Sequence, residues 1–456
     1  MYTWQDFEND RKSGIGAAIN TLINRHKATE LYRVAVDADA YDHQRNTTIS
    51  RFVNKLYNVN GGSRPDTTSS NNRLCSNFFA HLNGQRVQYS LGNGIEFESD
   101  VKERLGASFD TRISEAGRYA LIHGVTFIFY NVDHVHVFPV TEFAPLYDED
   151  TGELKAGVRW WQIDINKPII AVLYEIDGYT RFKAEKGSGD FVQQDEKRAY
   201  RMTLVQSPVD SEPEIVGEEN YNTLPIVPLY GSRLHQSTLV GMRAKIDAYD
   251  LVSSGFANDL CDCAQIYWMI GGAGGMSDAD FAKFRDRMRL THIAAVDDVD
   301  GVTITPHTNE IPVNARTAFL DSIRASIYED FGALDVHTVA AGATNDHIEA
   351  AYQPLDDAAD DYEYQIIDCI QRLLSVMGEE PETPIFKRNR ISNEAERTNM
   401  ILSAASYLDQ ETVLSKLPFI TPDEIDGIMA RTGADDLARY AAPEQEVTEQ
   451  NEDIDG

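Results

Sequence analysis

Three textures alternate along the chain, each set by the spacing of its apolar positions. The N-terminal part reads as helices joined by loops. Within it, ISRFVNKLYN (49–58) places Phe52, Leu56 and Tyr57 at helical spacing, and the polar stretch NVNGGSRPDTTSSNN that follows predicts a loop. LCSNFFAHLNGQRVQYSL (74–91) predicts a helix that breaks near Gly84 and enters a strand. FDTRISEAGRYALIHG (109–124) predicts a helix with Ile113, Ala116, Tyr119 and Leu121 among its apolar positions, ending at Gly124.

The texture then turns β-branched and aromatic. VTFIFYNVDHVHVFPV (125–140), GVRWWQID (157–164) and IIAVLYEID (169–177) predict strands, and IDGYTRF supplies a turn into another. The acidic turn YDEDTGE (147–153) separates two of them. The middle of the chain is therefore a β-rich module.

Helical spacing returns at KIDAYDLVSSGFANDLCDCAQIYWMI (245–270), where Tyr249, Val252, Phe256, Leu260, Cys263 and Tyr267 follow at three or four residues. GGAGG (271–275) ends that helix. A small unit follows, with a helix at 278–289 and strands near 292–298 and 302–307. A helix over 315–332 repeats Phe319, Ile323, Ile327 and Phe331 at intervals of four. A longer helix runs from about Asp346 to Met377, with Pro354 marking an interruption or kink and Ile366, Ile370, Leu373 and Met377 on one face. Short helices are expected at 392–408, 409–417 and 421–432. The tail 443–456 has six acids and no Lys or Arg, which predicts disorder.

The 456 residues carry 73 acids against 41 Lys and Arg, a net charge of −32. Such a chain does not hold nucleic acid mainly through a basic surface, although it is compatible with nucleic acid sliding past. No run of eighteen apolar residues predicts a membrane helix, and MYTWQDFENDRK has no signal-peptide pattern. Four cysteines at positions 75, 261, 263 and 369 indicate a reducing compartment rather than a disulfide scaffold.

Motifs for chemistry are sparse. Cys261 and Cys263 are one residue apart, unlike zinc spacing, and GGAGG lacks the Lys and Ser or Thr of a phosphate loop. His134 and His136 share a strand face, but no third metal ligand follows from spacing. No G-x-S-x-G frames a nucleophile. The expectation is no catalytic residue, no cofactor and no metal. A hydrolase using His134 and His136 stays as a minor alternative.

One feature rises above composition. Residues 325–371 contain eleven acids (Glu329, Asp330, Asp335, Asp346, Glu349, Asp356, Asp357, Asp360, Asp361, Glu363 and Asp368) and no Lys or Arg. The ordinary reading is a solvated acidic face. The sharper one is a lining that disfavours adhesion by a polyanion, because like charge removes phosphate contacts.

Five segments in order are similar to the portal proteins of tailed bacteriophages, in the group of the Bacillus siphophage type: NNRLCSNFFAHLNGQRVQYSLGNG (71–94), 115–164, LPIVPLYGSRLHQSTLVGMRAKIDAYDLVSSGFANDL (224–260), 343–374, and FKRNRISNEAERTNM (386–400) with 411–426. The third is the most specific, with Pro225, Pro228, Ser237, Ile246, Asp247, Tyr249, Ser253, Ser254, Asn258 and Asp259 in the family order. The chain departs from the family at Gly84, which no Pro follows, and in the loop AAGATNDHIEAA, which has no basic residue to grip phosphate.

The resemblance implies an α+β portal fold, assembled as a ring of twelve subunits, with wing, long stem helices, a small α/β clip and a helical crown. It implies a wing over 1–244, a first stem helix over 245–272, a clip over 273–313 and a second stem helix over 314–332. A tunnel loop over 333–346, a long wing helix over 347–377, a crown over 378–440 and an acidic disordered tail over 441–456 complete it. Val336, Thr338, Val339, Thr344, Asp346 and Glu349 are then candidates for the loop or lumen. Tyr249, Val252, Phe256, Phe319, Ile323 and Ile327 are candidates for stem packing. The implied partners are double-stranded viral DNA, terminase, capsid and scaffolding proteins, and head-completion or tail adaptor proteins, with no membrane. The implied location is the capsid portal vertex of the virion, after assembly in the host cytoplasm. A ring-forming head-tail interface protein without a DNA-gating role is the alternative.

Overall fold

The computed structural model describes residues 2–57, 61–66, 69–185, 189–205, 214–263, 267–270, 277, 279–280, 283, 304–307, 312–338, 344–390, 398, 401–407, 409–417, 424–425, 427–429 and 431. The chain divides into two compact units, residues 1–333 with 354–389, and residues 334–353 with 390–456.

The first unit opens with α1 (Trp4–Arg11), α2 (Ile15–Lys27) and α3 (Glu30–Asp42). A capping box starts α1: the Asp6 N–H donates to Thr3 Oγ1 at 3.2 Å, and the Thr3 N–H reaches back to Asp6 Oδ2 at 3.4 Å. The helix expected at 49–58 is a correction. A single turn, α4 (Thr47–Ser50), gives way to β1 (Lys55–Tyr57), antiparallel with β2 (Ser63–Pro65). Phe52 and Leu56 are 42% and 40% exposed, so no core holds that spacing as a helix.

Residues Phe78–Leu91 form one continuous helix, α5, through Gly84, where a break and a strand were expected. A glycine inside a helix costs about 1 kcal/mol. The burial of Phe79, Leu82, Val87 and Leu91 outweighs it. After β3 (Ile95–Glu96) and α6 (Val101–Leu105), α7 (Phe109–His123) ends as expected at Gly124, whose φ is 91°.

The β-rich stretch is two sheets. The run 125–140 folds back on itself as β4 (Val125–Asn131) and β5 (His134–Pro139), and β13 (Ile226–Tyr230) pairs with the other edge of β4. β6 (Phe143–Tyr147), β7 (Leu154–Trp161), β8 (Ile169–Glu175), β9 (Gly178–Ala184) and β10 (Val192–Gln193) form a five-stranded antiparallel meander. Alternation sends Ala144, Leu146, Ala156, Val158, Trp160, Ala171, Leu173, Phe182 and Ala184 into a core with α1 and α2. Phe143, Val172 and Tyr174 on the other face join the β4–β5 core. Gly157 is required there: a Cβ would meet Phe143 Cζ at 2.1 Å. β11 (Arg201–Val205) and β12 (Glu214–Glu219) make a separate hairpin.

The long helices frame the rest. α8 spans Leu239–Cys263, starting earlier and ending sooner than the 245–270 expected. Tyr267 lies instead in β14 (Tyr267–Ile270), antiparallel with β15 (Ile304–His307). The aromatic-rich YWMI suits a strand. α9 (Val313–Phe331) closes on Gly332, with φ 63°, where a Cβ would sit 2.9 Å from the Pro354 carbonyl. α10 (Asn345–Met377) runs through Pro354 without the interruption expected. Its expected face is right: Ile366, Ile370 and Leu373 are fully buried, and Met377 packs against them. β16 (Ile385–Phe386) then pairs with β3.

In the second unit, α11 (Gln410–Lys416) is capped by Asp409, whose Oδ2 accepts the Thr412 N–H at 2.9 Å. Residues 401–404 are helical and Ala405–Tyr407 form a 3-10 turn. Most of the helix expected at 278–289, the strand near 292–298, most of 421–432 and the tail 443–456 lie outside the described residues, and residues 279, 280 and 283 are helical.

Candidate functional site

α8 and α9 run antiparallel. Lys245 Nζ donates to Ser326 Oγ at 2.6 Å and pairs with Asp330, while Arg316 pairs with Asp259 at the other end. Burial is graded along this hairpin. Near the body, Leu239, Met242, Ile246, Ile327 and Phe331 share a core with Ala38, Tyr41, Phe79 and Leu82. Tyr249 and Ile323 pack on that core, and the Phe78 ring meets Tyr249 edge-on at 4.9 Å. Farther along, Val252 and Phe319 line a groove with Gly255, Ala315 and Arg316, and Phe319 is 45% exposed. The Arg316 guanidinium lies 5.7 Å from the Phe256 ring centre. The six candidate packing residues thus separate into an inner set, Tyr249, Ile323 and Ile327, and an outer set, Val252, Phe256 and Phe319.

The polar residues of α8 hold an extended strap. The N–H groups of Ser76, Leu74 and Asn72 donate in turn to Asp250 Oδ1 (2.9 Å), Ser254 Oγ (2.9 Å) and Asn258 Oδ1 (2.6 Å). Two residues of extended chain advance about 6.7 Å. Four residues of helix advance about 6.0 Å. The two ladders therefore stay in register over three rungs. One turn before this ladder, Asp247 accepts from the Tyr41 hydroxyl at 2.5 Å and from Thr48 Oγ1 at 2.7 Å. Burial pushes the Asp250 carboxyl above its ordinary value. Asp247, Ser254 and Asn258, noted above only as family-pattern positions, prove to be the acceptors of this lash. With Asp250 they stand at spacings of three, four and four, which puts four polar side chains on one face of the helix.

Arg86, which sequence reasoning missed, closes the inner end of α9. It donates to the Phe331 carbonyl, and its guanidinium lies 4.5 Å from the Phe331 ring centre. Burial pushes it down to about 10.

The loop candidates separate too. Val336 is 58% exposed at the start of the 3-10 turn Val336–Thr338, and the Asp335 carboxylate accepts the His337 N–H at 3.1 Å. Thr338 ends that turn, and Val339 lies outside the described residues. Thr344, Asp346 and Glu349 are exposed at the start of α10. Asp346, in the first turn of α10, also suits the positive end of the helix dipole.

Four cations outside the eleven-acid segment pair with part of it. Arg388 binds Glu363 in a fork (3.0 and 2.8 Å), Asp356 at 3.0 Å, and Asp360. The Tyr89 hydroxyl adds a 2.6 Å bond to Asp356. These acids hold the Arg388 guanidinium above its usual value. Lys245 takes Asp330, Arg233 takes Asp361 and Arg372 takes Asp368. Six of the eleven acids are therefore engaged in ion pairs with cations whose positions, 233, 245, 372 and 388, fall outside the segment. Four cations against eleven acids leave the segment net negative.

Among the described residues, no group of three or more His, Cys, Asp and Glu is placed to hold a metal, and no helix is long and apolar enough to cross a membrane.

The family model for SPP1 Gp6-like phage portal proteins matches residues 21–449. The chain belongs to this family. The portal protein of Clostridium phage phiCD119 is 22% identical over 417 residues, covering 84% of this chain and 89% of that protein. The portal protein of Bacillus phage SPP1 is 23% identical over 403 residues, covering 81% and 77%. Among solved structures, the neck of an empty GTA particle computed with C6 symmetry is 11% identical and covers 76% of this chain and 91% of that one, with a TM-score of 0.42. The neck of a native GTA particle computed with C12 symmetry overlaps at a TM-score of 0.40, with 12% identity, over 76% of this chain and 90% of that one. Both overlaps are too loose to bear on subunit number. As a portal protein the chain has a structural role in phage assembly and is not an enzyme.

Proposed function

We propose that the chain assembles into a twelve-subunit ring at one capsid vertex, through which double-stranded DNA enters during packaging and leaves at ejection. The observation that carries this reading is the family match along residues 21–449, which takes in both long helices and the loop between α9 and α10. In this ring α8 and α9 serve as the stem, with the bounds Leu239–Cys263 and Val313–Phe331 in place of 245–272 and 314–332. Residues 273–313 form the clip that meets terminase and later an adaptor protein. Residues 333–346 form the tunnel loop, 347–377 the long wing helix and 378–440 the crown, and 441–456 an acidic tail. Capsid and scaffolding proteins contact the ring from outside.

The graded burial of the hairpin supports the stem role. Its inner half is rigidly set in the subunit core, while Phe319 and Leu260, 45% and 53% exposed, leave apolar surface for a neighbouring subunit. ATP hydrolysis belongs to a separate terminase, in keeping with the lack of a Walker A sequence. DNA passes along Val336, Thr338, Val339 and Thr344 with weak contact, and Asp346 and Glu349 discourage adhesion there.

One observation favours a second reading, a ring-forming head-tail interface protein without a gating role: six of the segment's acids are held in intrachain ion pairs, which weakens a lumen field. Packaging separates the two readings. Heads assembled with the chain should take up DNA when terminase and ATP are supplied, and loop variants should alter uptake or retention. Uptake by heads that lack the chain would overturn the conduit. Uptake and retention unchanged by any loop variant would leave only the interface role.

A further inference from the structure

The β4–β5 hairpin ends in a turn outside the residues assigned above to stem and tunnel loop. Val132, with φ 60°, and Asp133 make the turn. His134 and His136 follow on one face of β5, an edge strand of its sheet. Their Nε2 atoms are 3.0 Å apart, and their rings meet edge-on at 4.6 Å.

We propose that His134 and His136 are the paired ligands of a divalent transition-metal site of the copper(II) or nickel(II) type. The first reason is geometric. Metal–imidazole bonds are about 2.0–2.1 Å, so two nitrogens 3.0 Å apart subtend roughly 90° at a shared ion. That is the angle between neighbouring ligands in a square-planar or octahedral site. A tetrahedral zinc site needs a wider separation, about 3.4 Å.

The second reason is the outer partner of His134. Asp133 Oδ1 lies 2.6 Å from His134 Nδ1, so that nitrogen carries the proton and Nε2 presents its lone pair. In the metal-free pair His136 Nε2–H donates to that lone pair. On binding, the His136 proton moves through water from Nε2 to Nδ1.

The third reason is that the site is open and firmly built. His134 keeps 41% of its side chain exposed. The His136 ring stacks on Phe129 at 6.1 Å, which holds it in place on the strand. The turn itself is pinned, because the Tyr221 hydroxyl accepts the Val132 N–H at 3.0 Å and the Tyr130 hydroxyl donates to the Val132 carbonyl. Asn131 Nδ2 is 3.4 Å from His134 Nε2, so a half-turn of that amide offers its oxygen as a third donor, and water fills the rest. Arg112 and Arg159 are each paired, with Glu115 and Glu142.

The test titrates the full chain with CuCl2, NiCl2 and, as control, MgCl2 in a non-chelating buffer, followed by calorimetry and by electron paramagnetic resonance of the copper form. One saturable site per subunit is expected for copper and nickel, none for magnesium, with resonance splitting from two imidazole nitrogens. His134→Ala and His136→Ala should each weaken binding at least tenfold, and Asp133→Asn roughly tenfold. His347→Ala should leave binding unchanged. His136→Gln, which keeps a polar side chain on the strand, repeats the test if the alanine variants fold poorly. No saturable site, or a site that survives loss of both histidines, would overturn the proposal.

Discussion

Single side chains decide how the charge of this portal chain is spent. Arg388 is 21% exposed, and two of its partners, Asp356 and Glu363, are 12% exposed, so removing the cation leaves carboxylates facing one another with little water between them. Arg388→Ala should therefore cost about 2–4 kcal/mol in denaturant unfolding. Arg388→Lys should recover only part, because a point charge cannot replace the fork. A loss under about 0.5 kcal/mol for the alanine variant would contradict the clasp. His26 gives a pH prediction. It is buried, its Nε2 lies 2.8 Å from the Val140 carbonyl, and burial lowers it from 6.5. A base whose folded value is depressed gives full stability above its unfolded value and loses it as pH falls below. The melting temperature of the wild type should therefore drop more between about pH 7.5 and pH 5 than that of His26→Gln, which keeps a donor for the carbonyl. Equal drops would remove His26 from the account. Neither role was legible in the sequence, since Arg388 finds acids 25 to 32 positions away and His26 a carbonyl 114 positions away.

At the scale of elements, periodicity carried the helices whose apolar face meets a core. The helix expected over 109–124 and that over about 346–377 were legible because one flank of each is buried. Spacing failed at 49–58, where Phe52 and Leu56 face solvent, and at Tyr267, where an apolar position at helical distance belongs to a strand. The strap on α8 was not legible, because its donors are backbone N–H groups that leave no side-chain pattern. Ser254→Ala should cost about 1 kcal/mol and speed hydrogen exchange at Leu74. Unchanged exchange at Leu74 would show that the ladder does not hold the strap. The hairpin offers a sharper contrast. Ile327→Ala, at a fully buried site, should cost the subunit about 2–5 kcal/mol. Phe319→Ala, at an exposed one, should change subunit stability by no more than about 0.5 kcal/mol and weaken ring assembly instead. Normal assembly by Phe319→Ala would place the subunit contact elsewhere on the hairpin.

For the whole molecule, the order of helical, β-rich and helical stretches was legible, and so was the family. The meaning of the charge was not. The net −32 stands, but within residues 325–371 five acids lock α10 to Arg388, to Arg233 or to the next turn of its own helix, and Asp330 ties α9 to Lys245 of α8. In the proposed ring, Asp346 and Glu349, exposed near the loop, are the acids best placed to discourage adhesion of DNA. Shortening 333–346 should leave expression intact and reduce packaged or retained DNA in assembled heads, and unchanged packaging and retention would remove the loop from the mechanism. The central claim, a ring around a DNA path, is tested most directly by electron microscopy of the purified full chain, reconstructed without imposed symmetry. The account predicts a closed ring of twelve subunits with a central hole that admits duplex DNA. Monomers under assembly conditions, or discs without a hole, would contradict it.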